Sequence, residues 1–213
     1  MNLNHIYTGD ALEVLHLLPD NCVNCVVTSP PYYGLRNYGV DGQIGLEETP
    51  EKYIEQLMDV FRQVRRVLKP DGTFWLNIGD SYAGSGRGKG DVNKKSKVQG
   101  RVSHTGAMFS KLYRLGGYKN KDLIDIPWQL AFALRADGWY LRQDIIWHKP
   151  NPMPESIRDR CTKAHEYIFL LTKSARYYFD YKAILEPAKY DGRKDTMAKG
   201  SPKYAGSGTG IQV

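Results

Sequence analysis

The sequence predicts an α/β fold built on a mostly parallel sheet, with an antiparallel hairpin near its C-terminal end. Short runs rich in β-branched and aromatic residues are bounded by Gly, Pro, Asn and Asp, as strands are. Longer stretches with apolar residues at helical spacing separate most of these runs. The 213 residues, 41% hydrophobic and 25% charged, have the composition of a globular protein and suffice for one core.

The first elements are predicted as a strand, a helix and a second strand joined by short links. Residues 5–8 form a short strand candidate that runs into a turn. Apolar residues then recur at helical spacing over 11–18, and a β-branched run over 23–28 follows the turn at 19–21. Strand, helix and strand in this order make the βαβ unit of a parallel sheet.

The way the 23–28 strand ends predicts a site. Ser29-Pro30-Pro31-Tyr32 follows it directly, so a buried apolar run stops at a hydroxyl, two prolines and an aromatic ring. In open α/β sheets the ligand crevice lies beyond the carboxyl ends of the strands. These four residues, called the tetrad below, are therefore the candidate site, beside a Gly- and Tyr-rich loop over 33–48.

A second helix is predicted from Pro50 onwards. Thr49 is positioned as its cap, and proline occupies the first helical position, where its missing N–H costs nothing. The predicted buried stripe of this helix consists of Tyr53, Leu57, Phe61, Val64 and Leu68. Residues 69–72 are expected to end the helix, and 73–78 to form the next buried strand.

The second half of the chain predicts one more helix and the antiparallel hairpin. Asp125 is positioned to cap a helix that runs through Arg135, and 139–147 form a strand. The apolar and aromatic runs over 167–172 and 176–180 flank a three-residue turn, which indicates a hairpin at the edge of the sheet.

A basic segment lies between Gly84 and Lys121. The protein has a formal net charge of +7, and this segment holds ten basic residues and one acidic residue. A near-neutral body with one basic segment predicts a polyanionic partner, and aromatic residues interleaved with the charge favour a nucleic acid. The residues expected to contact DNA are Arg87, Lys89, Lys94, Lys95, Lys97, Arg101, Lys111 and Arg114. The alternative is a solvated insertion without a partner.

Composition argues against several other classes. No run reaches the roughly 20 apolar residues of a membrane span, and a secretory leader is absent, so we expect a cytoplasmic protein without a membrane partner. Cys22, Cys25 and Cys161 are too few for a disulfide framework. The C-x-x-C pair lacks a second pair of ligands, so we expect no metal and interpret both cysteines as small residues entering a buried strand.

The tetrad offers hydrogen-bond acceptors at nearly fixed angles, because proline fixes its own φ and restrains the residue before it. An exocyclic NH2 group would donate to the Ser29 side chain and to the Pro30 carbonyl. These bonds would draw the nitrogen lone pair out of conjugation and make a poor nucleophile usable. Tyr32 would stack on a base that has left the duplex. The alternative is that the tetrad is only a rigid turn.

Several motifs appear in a characteristic order over most of residues 1–187, outside the basic segment. They are Gly9-Asp10, Val26-Val27-Thr28 with the tetrad, Leu68-Lys69-Pro70-Asp71-Gly72, Asn77-Ile78-Gly79-Asp80-Ser81-Tyr82, Trp147-His148-Lys149-Pro150-Asn151-Pro152 and His165-Glu166. This series resembles the amino-DNA methyltransferases whose catalytic region precedes the cofactor glycine loop. The resemblance implies a Rossmann-like methyltransferase sheet. It also implies methylation of an exocyclic amine in double-stranded DNA by S-adenosylmethionine, in a bacterial or phage restriction-modification setting.

The resemblance also implies roles for single residues. The tetrad would be catalytic, with a flipped base and a direct in-line transfer that forms no covalent intermediate. Serine is frequent at its first position in cytosine-N4 enzymes, so Ser29 favours cytosine N4 over adenine N6. Asp10 matches the acid that contacts the cofactor adenine and is equally placed to cap the 11–18 helix. Thr28 is assigned to the cofactor as well.

One part of the family pattern has only a weak counterpart. Within Ala205-Gly206-Ser207-Gly208-Thr209, Gly206 and Gly208 would be weak contacts for the cofactor, but no buried strand precedes them. We therefore expect an incomplete sheet, with a catalytic region over 1–187 and an irregular tail, or the start of a missing segment, over 188–213. A complementing C-terminal segment or a homodimer would supply the rest.

The sequence leaves three functions to be distinguished. The first is a site-specific DNA methyltransferase. The second is a catalytically inactive, truncated remnant that still binds DNA. The third is methylation of RNA or of a protein amide.

Overall fold

The computed structural model describes residues 4–83 and 117–186, which contain three α-helices, four strands and one short 3-10 helix. In chain order these are α1 Ala11–His16, β1 Val23–Thr28, α2 Pro50–Val67, β2 Leu68–Ile78, α3 Ile126–Ala136, β3 Tyr140–His148, β4 His165–Thr172 and the 3-10 helix Tyr181–Ile184. The chain divides into two compact units, Met1–Tyr177 and Tyr178–Val213. The first unit holds the sheet, and the 3-10 helix belongs to the second. The predicted domain boundary at residue 187 stays a prediction.

The four described strands form one open sheet in the order β1-β2-β4-β3. β1 pairs with β2 in parallel, whereas β4 is antiparallel to both β2 and β3. β1, β2 and β3 therefore run in one direction and β4 runs against them. This arrangement confirms the predicted α/β class: three of the four described strands run in one direction, and the pairing towards the C-terminal end is antiparallel.

Helices α2 and α3 cover one face of the sheet and form the core with it. Phe74 of β2 packs between Phe61 of α2 and Trp139, with ring centroids 5.1 and 5.2 Å apart. Trp128 of α3 packs edge-on against Phe169 of β4, 5.2 Å between centroids. The predicted stripe of α2 is confirmed for Tyr53, Leu57, Phe61 and Val64, which are buried. Leu68 is buried too, but it is the first residue of β2. The helix starts as predicted, with the Thr49 hydroxyl accepting from the Lys52 N–H.

The N-terminal strand prediction is wrong. Residues 5–8 form no strand, and Ile6 is 88% exposed. β1 is the edge strand, and no described strand flanks its outer side to supply hydrogen bonds to such a segment. For the same reason β1 is not the buried strand that its apolar run predicts, since Val27 is 77% exposed and Cys25 is exposed. The βαβ unit therefore lacks its first strand.

Helix α1 is held by polar contacts rather than by burial, since none of its residues is buried. Oδ1 of Asp10 accepts hydrogen bonds from the Leu12 and Glu13 N–H groups at 2.9 and 3.1 Å, which confirms the predicted cap. Arg66, in the last turn of α2, donates to the Leu15 carbonyl at 2.8 Å and to the Leu18 carbonyl at 2.9 Å. These bonds fasten the end of α1 to α2 and so fix the place of Asp10.

The predicted hairpin over 167–172 and 176–180 is wrong in its second arm. Residues 176–180 form no strand, and β4 pairs instead with β2 on one side and β3 on the other. Phe169, Leu170 and Leu171 are all buried, so β4 carries buried side chains on both of its faces. Such a run is typical of a strand inside a sheet, with a neighbour on each side, rather than of an edge strand.

Two local predictions around α3 and β2 are also corrected. Asp125 stands at the start of α3 but has a left-handed backbone, with φ of 68°, and its side chain makes no cap bond. Instead, Oδ1 of Asp80 accepts from the Ile126 N–H at 3.1 Å.

The strand predicted over 73–78 starts earlier, at Leu68, directly after α2 ends at Val67. Residues 69–72, which were expected to separate the helix from the strand, lie in a bulge of β2 between its pairings with Val23 and Cys25.

Backbone hydrogen bonds join the two ends of the basic segment. The Ala83 N–H donates to the Asp122 carbonyl and the Lys121 N–H donates to the Ala83 carbonyl, both at 2.7 Å. The Ile124 N–H donates to the Ser81 carbonyl at 2.9 Å. The described residues on either side of this segment therefore meet at one place, just after β2.

Several predictions fall on parts of the chain that the structure does not describe. These are the eight predicted DNA contacts, Arg87, Lys89, Lys94, Lys95, Lys97, Arg101, Lys111 and Arg114, and the predicted cofactor glycines Gly206 and Gly208. In the part that is described, no helix has the length and apolar character needed to cross a membrane.

Replacing Leu130 by Ala should lower the free energy of unfolding by about 2–5 kcal/mol, because a fully buried side chain of α3 leaves a cavity. Phe132 on the same helix is 48% exposed, so Phe132→Ala should cost about 1 kcal/mol or less. Urea unfolding of both variants measures the difference. Equal losses would contradict the packing of α3 described above.

Candidate active site

The candidate site lies where three strand ends meet at one edge of the sheet. The tetrad follows the carboxyl end of β1, and Asn77 stands near the carboxyl end of the neighbouring β2. β4 runs in the opposite direction, so its first residues, which include Glu166, come to the same edge. Parallel pairing on one side of β2 and antiparallel pairing on the other thus bring together side chains far apart in sequence.

The four tetrad residues line one open pocket of about 290 Å³. Its remaining walls come from the loop that follows, through Leu35, Arg36 and Tyr38. Ser29 is exposed at this pocket, and the side chains of Leu35 and Tyr38 are 52% and 59% exposed. The structure therefore brings all four predicted catalytic residues to a solvent-accessible cavity that also offers apolar surface, an aromatic ring and a cation.

The backbone of the tetrad is held from the core. The buried Tyr53 of α2 donates its hydroxyl hydrogen bond to the Pro31 carbonyl at 2.7 Å. Gly45, with φ of 103°, lies so close that a Cβ there would stand 3.1 Å from the Tyr32 carbonyl oxygen. The Pro31 carbonyl is thus occupied, whereas no described residue donates to the Pro30 carbonyl. The Pro31 carbonyl is therefore held by Tyr53, while the Pro30 carbonyl can accept a hydrogen bond from a ligand.

Tyr32 is fixed by its ring and by its hydroxyl. Its ring lies against Gly79, where a Cβ would stand only 2.4 Å from Cε2 of the ring, so any side chain there would displace it. The hydroxyl oxygen lies 3.4 Å from Ser29 Oγ, 3.1 Å from Asn77 Oδ1 and 3.0 Å from Glu166 Oε2. The tetrad is therefore connected to the ends of β2 and β4 through this one phenol.

Glu166 is the charged centre of this cluster. Its Oε1 forms an ion pair with Lys149 Nζ, and its Oε2 accepts from Tyr32. Burial raises the pKa of Glu166, but the hydrogen bonds from Lys149 and Tyr32 outweigh it and leave the pKa below its usual value. Burial, together with the charge of Glu166, raises the pKa of Tyr32. At neutral pH the pair is therefore a carboxylate and a protonated phenol.

Asp80, at the same edge, has a structural role. Its side chain is 2% exposed, and its Oδ1 accepts from the Ser81 and Ile126 N–H groups. Lys163 Nζ lies 3.8 Å from its Oδ2. Burial raises the pKa of Asp80, which Lys163 and the two backbone bonds oppose. This carboxylate is used to start α3 rather than to face the pocket.

The residues predicted to hold a cofactor differ in what they offer. Both hydrogen bonds that Asp10 accepts as a helix cap go to Oδ1, and Oδ2 has no partner among the described residues, so it fits an additional N–H donor. Thr28 is half-buried at the end of β1, next to the tetrad. Within 4–83 and 117–186, no three His, Cys, Asp or Glu side chains cluster as they would around a metal ion. Cys22 and Cys25 are free, and Cys22 is only half-buried.

Sequence reasoning missed the contacts that support the tetrad. It predicted Tyr53 only as a core residue and Asn77 and Glu166 only as letters of motifs. A polar residue near the end of an apolar strand was the signal that could have indicated a site residue. Asn77 is an example, since it interrupts the apolar run of β2 just before Ile78. The partner that makes Glu166 important, Tyr32, lies 134 positions away, and no local pattern indicates that contact.

Comparisons with known proteins identify the group to which these features belong. A family model described as DNA methylase, of the N6/N4 methyltransferase kind, matches residues 23–207. The Type II methyltransferase M.SmaI of Serratia marcescens is 56% identical over 183 residues, which are 86% of this chain and 60% of that relative. M.Cfr9I of Citrobacter freundii is 51% identical over 181 residues, 85% of this chain and 58% of that relative. The chain thus spans less than two thirds of the length of these relatives.

Solved structures show the same fold. PvuII DNA methyltransferase, a cytosine-N4-specific protein, superimposes with a TM-score of 0.55 at 17% identity, over 90% of this chain and 60% of that one. A DNA modification methylase of Thermus thermophilus, in complex with S-adenosyl-L-methionine, gives a TM-score of 0.51 at 24% identity, over 82% of this chain and 55% of that one. Both likenesses concern the fold of the sheet and its helices.

Replacing Tyr53 by Phe should lower the free energy of unfolding by about 1–2 kcal/mol at neutral pH, because the Pro31 carbonyl loses its donor inside the protein while the ring is kept. Tyr140→Phe is the matched control, since that ring is 46% exposed, and it should change stability by about 0.5 kcal/mol or less. Denaturant titration of both variants compares them. Indistinguishable midpoints would show that the bond from Tyr53 does not hold the tetrad.

The difference in free energy of unfolding between the wild type and Tyr53→Phe should decrease at high pH. Burial raises the pKa of Tyr53 above its usual value of 10.0, with smaller contributions from Glu47 and Tyr32. As the pH rises above about 10, the unfolded chain releases the Tyr53 proton and the folded chain keeps it, so the free energy of unfolding of the wild type falls. Tyr53→Phe has no proton at this position, so its free energy of unfolding lacks this decrease. The stability gap between the two should narrow between about pH 9 and pH 11. A constant gap would contradict a buried, protonated Tyr53.

Proposed function

Because the chain belongs to the DNA methylase family, as its motifs predicted, we propose that it methylates an exocyclic amine of a DNA base with S-adenosylmethionine, cytosine N4 being favoured over adenine N6. The observation that carries this proposal is the pair of acceptors at the pocket. Ser29 Oγ is exposed there, and the Pro30 carbonyl receives no bond from a described donor.

This pair of acceptors suits the chemistry of an aromatic amine. The lone pair of such a nitrogen is delocalised into the ring, and the nitrogen is a poor nucleophile in that state. If its two N–H groups donate to Ser29 Oγ and the Pro30 carbonyl, the nitrogen is drawn towards tetrahedral geometry and its lone pair points away from both acceptors. Because the backbone of the tetrad is fixed by Tyr53 and Gly45, the acceptors hold this geometry without reorganising.

The walls of the pocket suit a flat, flipped base. Tyr32 lines the same pocket as both acceptors, and its ring would supply a surface on which a base stacks. Arg36 brings a positive charge to the same pocket, and Tyr38 an exposed ring. A base rotated out of duplex DNA would place its ring against the aromatic surface and its phosphates near the cation. Ser29 as the first tetrad residue is the feature that favours cytosine.

S-adenosylmethionine, when bound, would supply a methyl group on a positively charged sulfur: the N–CH3 bond forms as the S–CH3 bond breaks, the neutral thioether leaves, and the amine gives up one N–H proton to water. We assign Asp10 to its adenine, through the Oδ2 atom that the helix cap leaves available. Thr28, at the end of β1 and directly before the tetrad, is proposed as a second cofactor contact. Gly206 and Gly208 are proposed to contact the other end of the cofactor.

We propose that the basic segment binds duplex DNA. Its described ends, at Ala83 and Lys121, are joined just beyond β2, at the edge of the sheet where the tetrad lies. Contacts from its eight assigned basic residues to phosphates would make binding weaken steeply with salt. This binding would keep the duplex beside the pocket while one base rotates into it.

The proposal extends to the organisation of the protein. We take residues 1–187 as the catalytic region and 188–213 as a tail or the start of a further segment. The matched residues cover 60% of M.SmaI. We propose that a complementing C-terminal segment or a second copy of the chain contributes to the cofactor site. The setting we propose is bacterial or phage restriction-modification, in the cytoplasm.

Replacing Ser29 by Ala should abolish methylation while leaving DNA binding intact, because one acceptor for the amine is lost and the basic segment is untouched. Transfer of tritiated methyl groups to duplex DNA, followed by mass spectrometry of the nucleosides, measures activity and product together. The expected product is N4-methylcytosine, and N6-methyladenine would move the target to adenine. Equal loss of binding and methylation in the variant would make the tetrad a purely structural turn.

Calorimetric titration with S-adenosylmethionine separates the proposal from a remnant that only binds DNA. Heat of binding supports an enzyme. Its absence at high micromolar cofactor, with salt-dependent DNA binding retained, would identify an inactive remnant. Preference for RNA over duplex DNA in the same salt series would favour the RNA alternative.

A further inference from the structure

The inference that follows rests on the proposed function and concerns how Ser29 becomes an acceptor. A serine hydroxyl both donates and accepts, and its proton rotates to whichever partner is available. If that proton pointed at the pocket, it would meet the N–H groups of the amine and oppose binding. A serine that serves as an acceptor therefore needs a second acceptor behind it to take its own proton.

The Tyr32 hydroxyl oxygen is that second acceptor. It lies 3.4 Å from Ser29 Oγ, with Ser29 as the donor. For this arrangement the phenol must place its own single proton elsewhere. The structure offers two places at shorter distance, Glu166 Oε2 at 3.0 Å and Asn77 Oδ1 at 3.1 Å. Neither oxygen carries a proton, so both draw the phenol proton away from Ser29.

The surroundings fix the direction of both bonds. Asn77 Nδ2 donates to the Tyr167 carbonyl at 3.1 Å, which turns the amide so that its oxygen faces Tyr32. Lys149 follows β3 directly, and its backbone N–H donates to the Ala164 carbonyl at 2.8 Å. Its ammonium group therefore stands across the β3–β4 pair, where it binds Glu166 Oε1. The carboxylate stays ionised, and its second oxygen accepts from Tyr32 at 3.0 Å and, at the longer distance of 3.4 Å, from Asn77 Nδ2.

Glu166 should be a stronger acceptor for the Tyr32 proton than Asn77, because Glu166 is charged. A hydrogen bond to an ionised acceptor is about twice as strong as one to a neutral amide. The Glu166 side chain is 19% exposed and that of Lys149 is 39% exposed, so solvent screens this pair less than a surface pair. The Lys149 charge also prevents the carboxylate from taking a proton when the phenol approaches.

We propose that Glu166 and Lys149 are positioning residues for the methyl-transfer reaction: they orient the hydrogen bonds through Tyr32 so that Ser29 Oγ faces the target amine as an acceptor. The order is Lys149 ammonium, Glu166 carboxylate, Tyr32 hydroxyl, Ser29 hydroxyl and target amine, with every proton directed towards the carboxylate. Neither Glu166 nor Lys149 needs to touch the base. The charge pair at the junction of β3 and β4 acts on the reaction only through the phenol.

The direct test replaces Glu166 by Gln, which keeps the shape and removes the charge. Lys149 then binds the amide oxygen, and the amide NH2 group faces Tyr32 as a donor instead of an acceptor. The matched control is Glu48→Gln, which breaks another Glu–Lys pair, with Lys52 at 2.9 Å, on side chains that are 74% and 58% exposed. Tyr32→Phe keeps the ring and removes the hydroxyl altogether.

The first readout is the pKa of Tyr32, measured by NMR of protein labelled with 13C at tyrosine Cζ, with Tyr32→Phe assigning the resonance. Removing the negative charge of Glu166 should lower this pKa, and Glu48→Gln should leave it unchanged. This readout does not depend on methylation. An unchanged Tyr32 pKa in Glu166→Gln overturns the inference, whether or not the protein methylates DNA.

The second readout is steady-state methylation of duplex DNA, which gives kcat and KM for DNA separately. Glu166→Gln should lower kcat about 10- to 100-fold, as expected for one hydrogen bond to a charged group, and leave KM unchanged. A wild-type kcat in Glu166→Gln overturns the inference while the proposed function stands. If the wild type does not methylate, the proposed function fails and the Tyr32 pKa alone decides whether the network exists.

Discussion

The placement of β2 between a parallel and an antiparallel neighbour is the constraint on which the candidate site depends. β1 runs alongside β2, so their carboxyl ends share an edge, and β4 runs against β2, so its amino end reaches the same edge. The tetrad, Asn77 and Glu166 meet only because of this pairing. Reversing either neighbour would move one of them to the opposite end of the sheet, more than a strand length away.

The core acts on this edge through α2. The helix buries its stripe against the sheet and carries Tyr53, whose ring is part of the core and whose hydroxyl holds the Pro31 carbonyl. A polar contact that begins in packed side chains is rigid, because the ring has no room to turn. The proline pair limits the backbone from within the chain, and Tyr53 and Gly45 limit it from outside. Preorganised acceptors are the result.

Local patterns in the sequence predicted the features that depend on contacts between neighbouring residues. The apolar spacing of α2, its Thr49 cap and the polar stop after β1 are all written in neighbouring residues, and the structure has them. Pairing depends on residues far away, so the predictions for 5–8 and 176–180 were wrong, the first for lack of a partner and the second because β3 took its place. The contact between Tyr32 and Glu166 has the same non-local origin, and only the folded sheet reveals it.

The most direct measurement of the central claim is a crystal structure of the protein bound to duplex DNA that contains its target base and to a cofactor analogue that lacks the methyl group. We expect a base outside the helix, with its exocyclic nitrogen within hydrogen-bond distance of both Ser29 Oγ and the Pro30 carbonyl. Its ring would lie against Tyr32, and the Tyr32 hydroxyl would still be bound to Glu166. A target amine that reaches neither acceptor, or a base that stays stacked in the duplex, would contradict it.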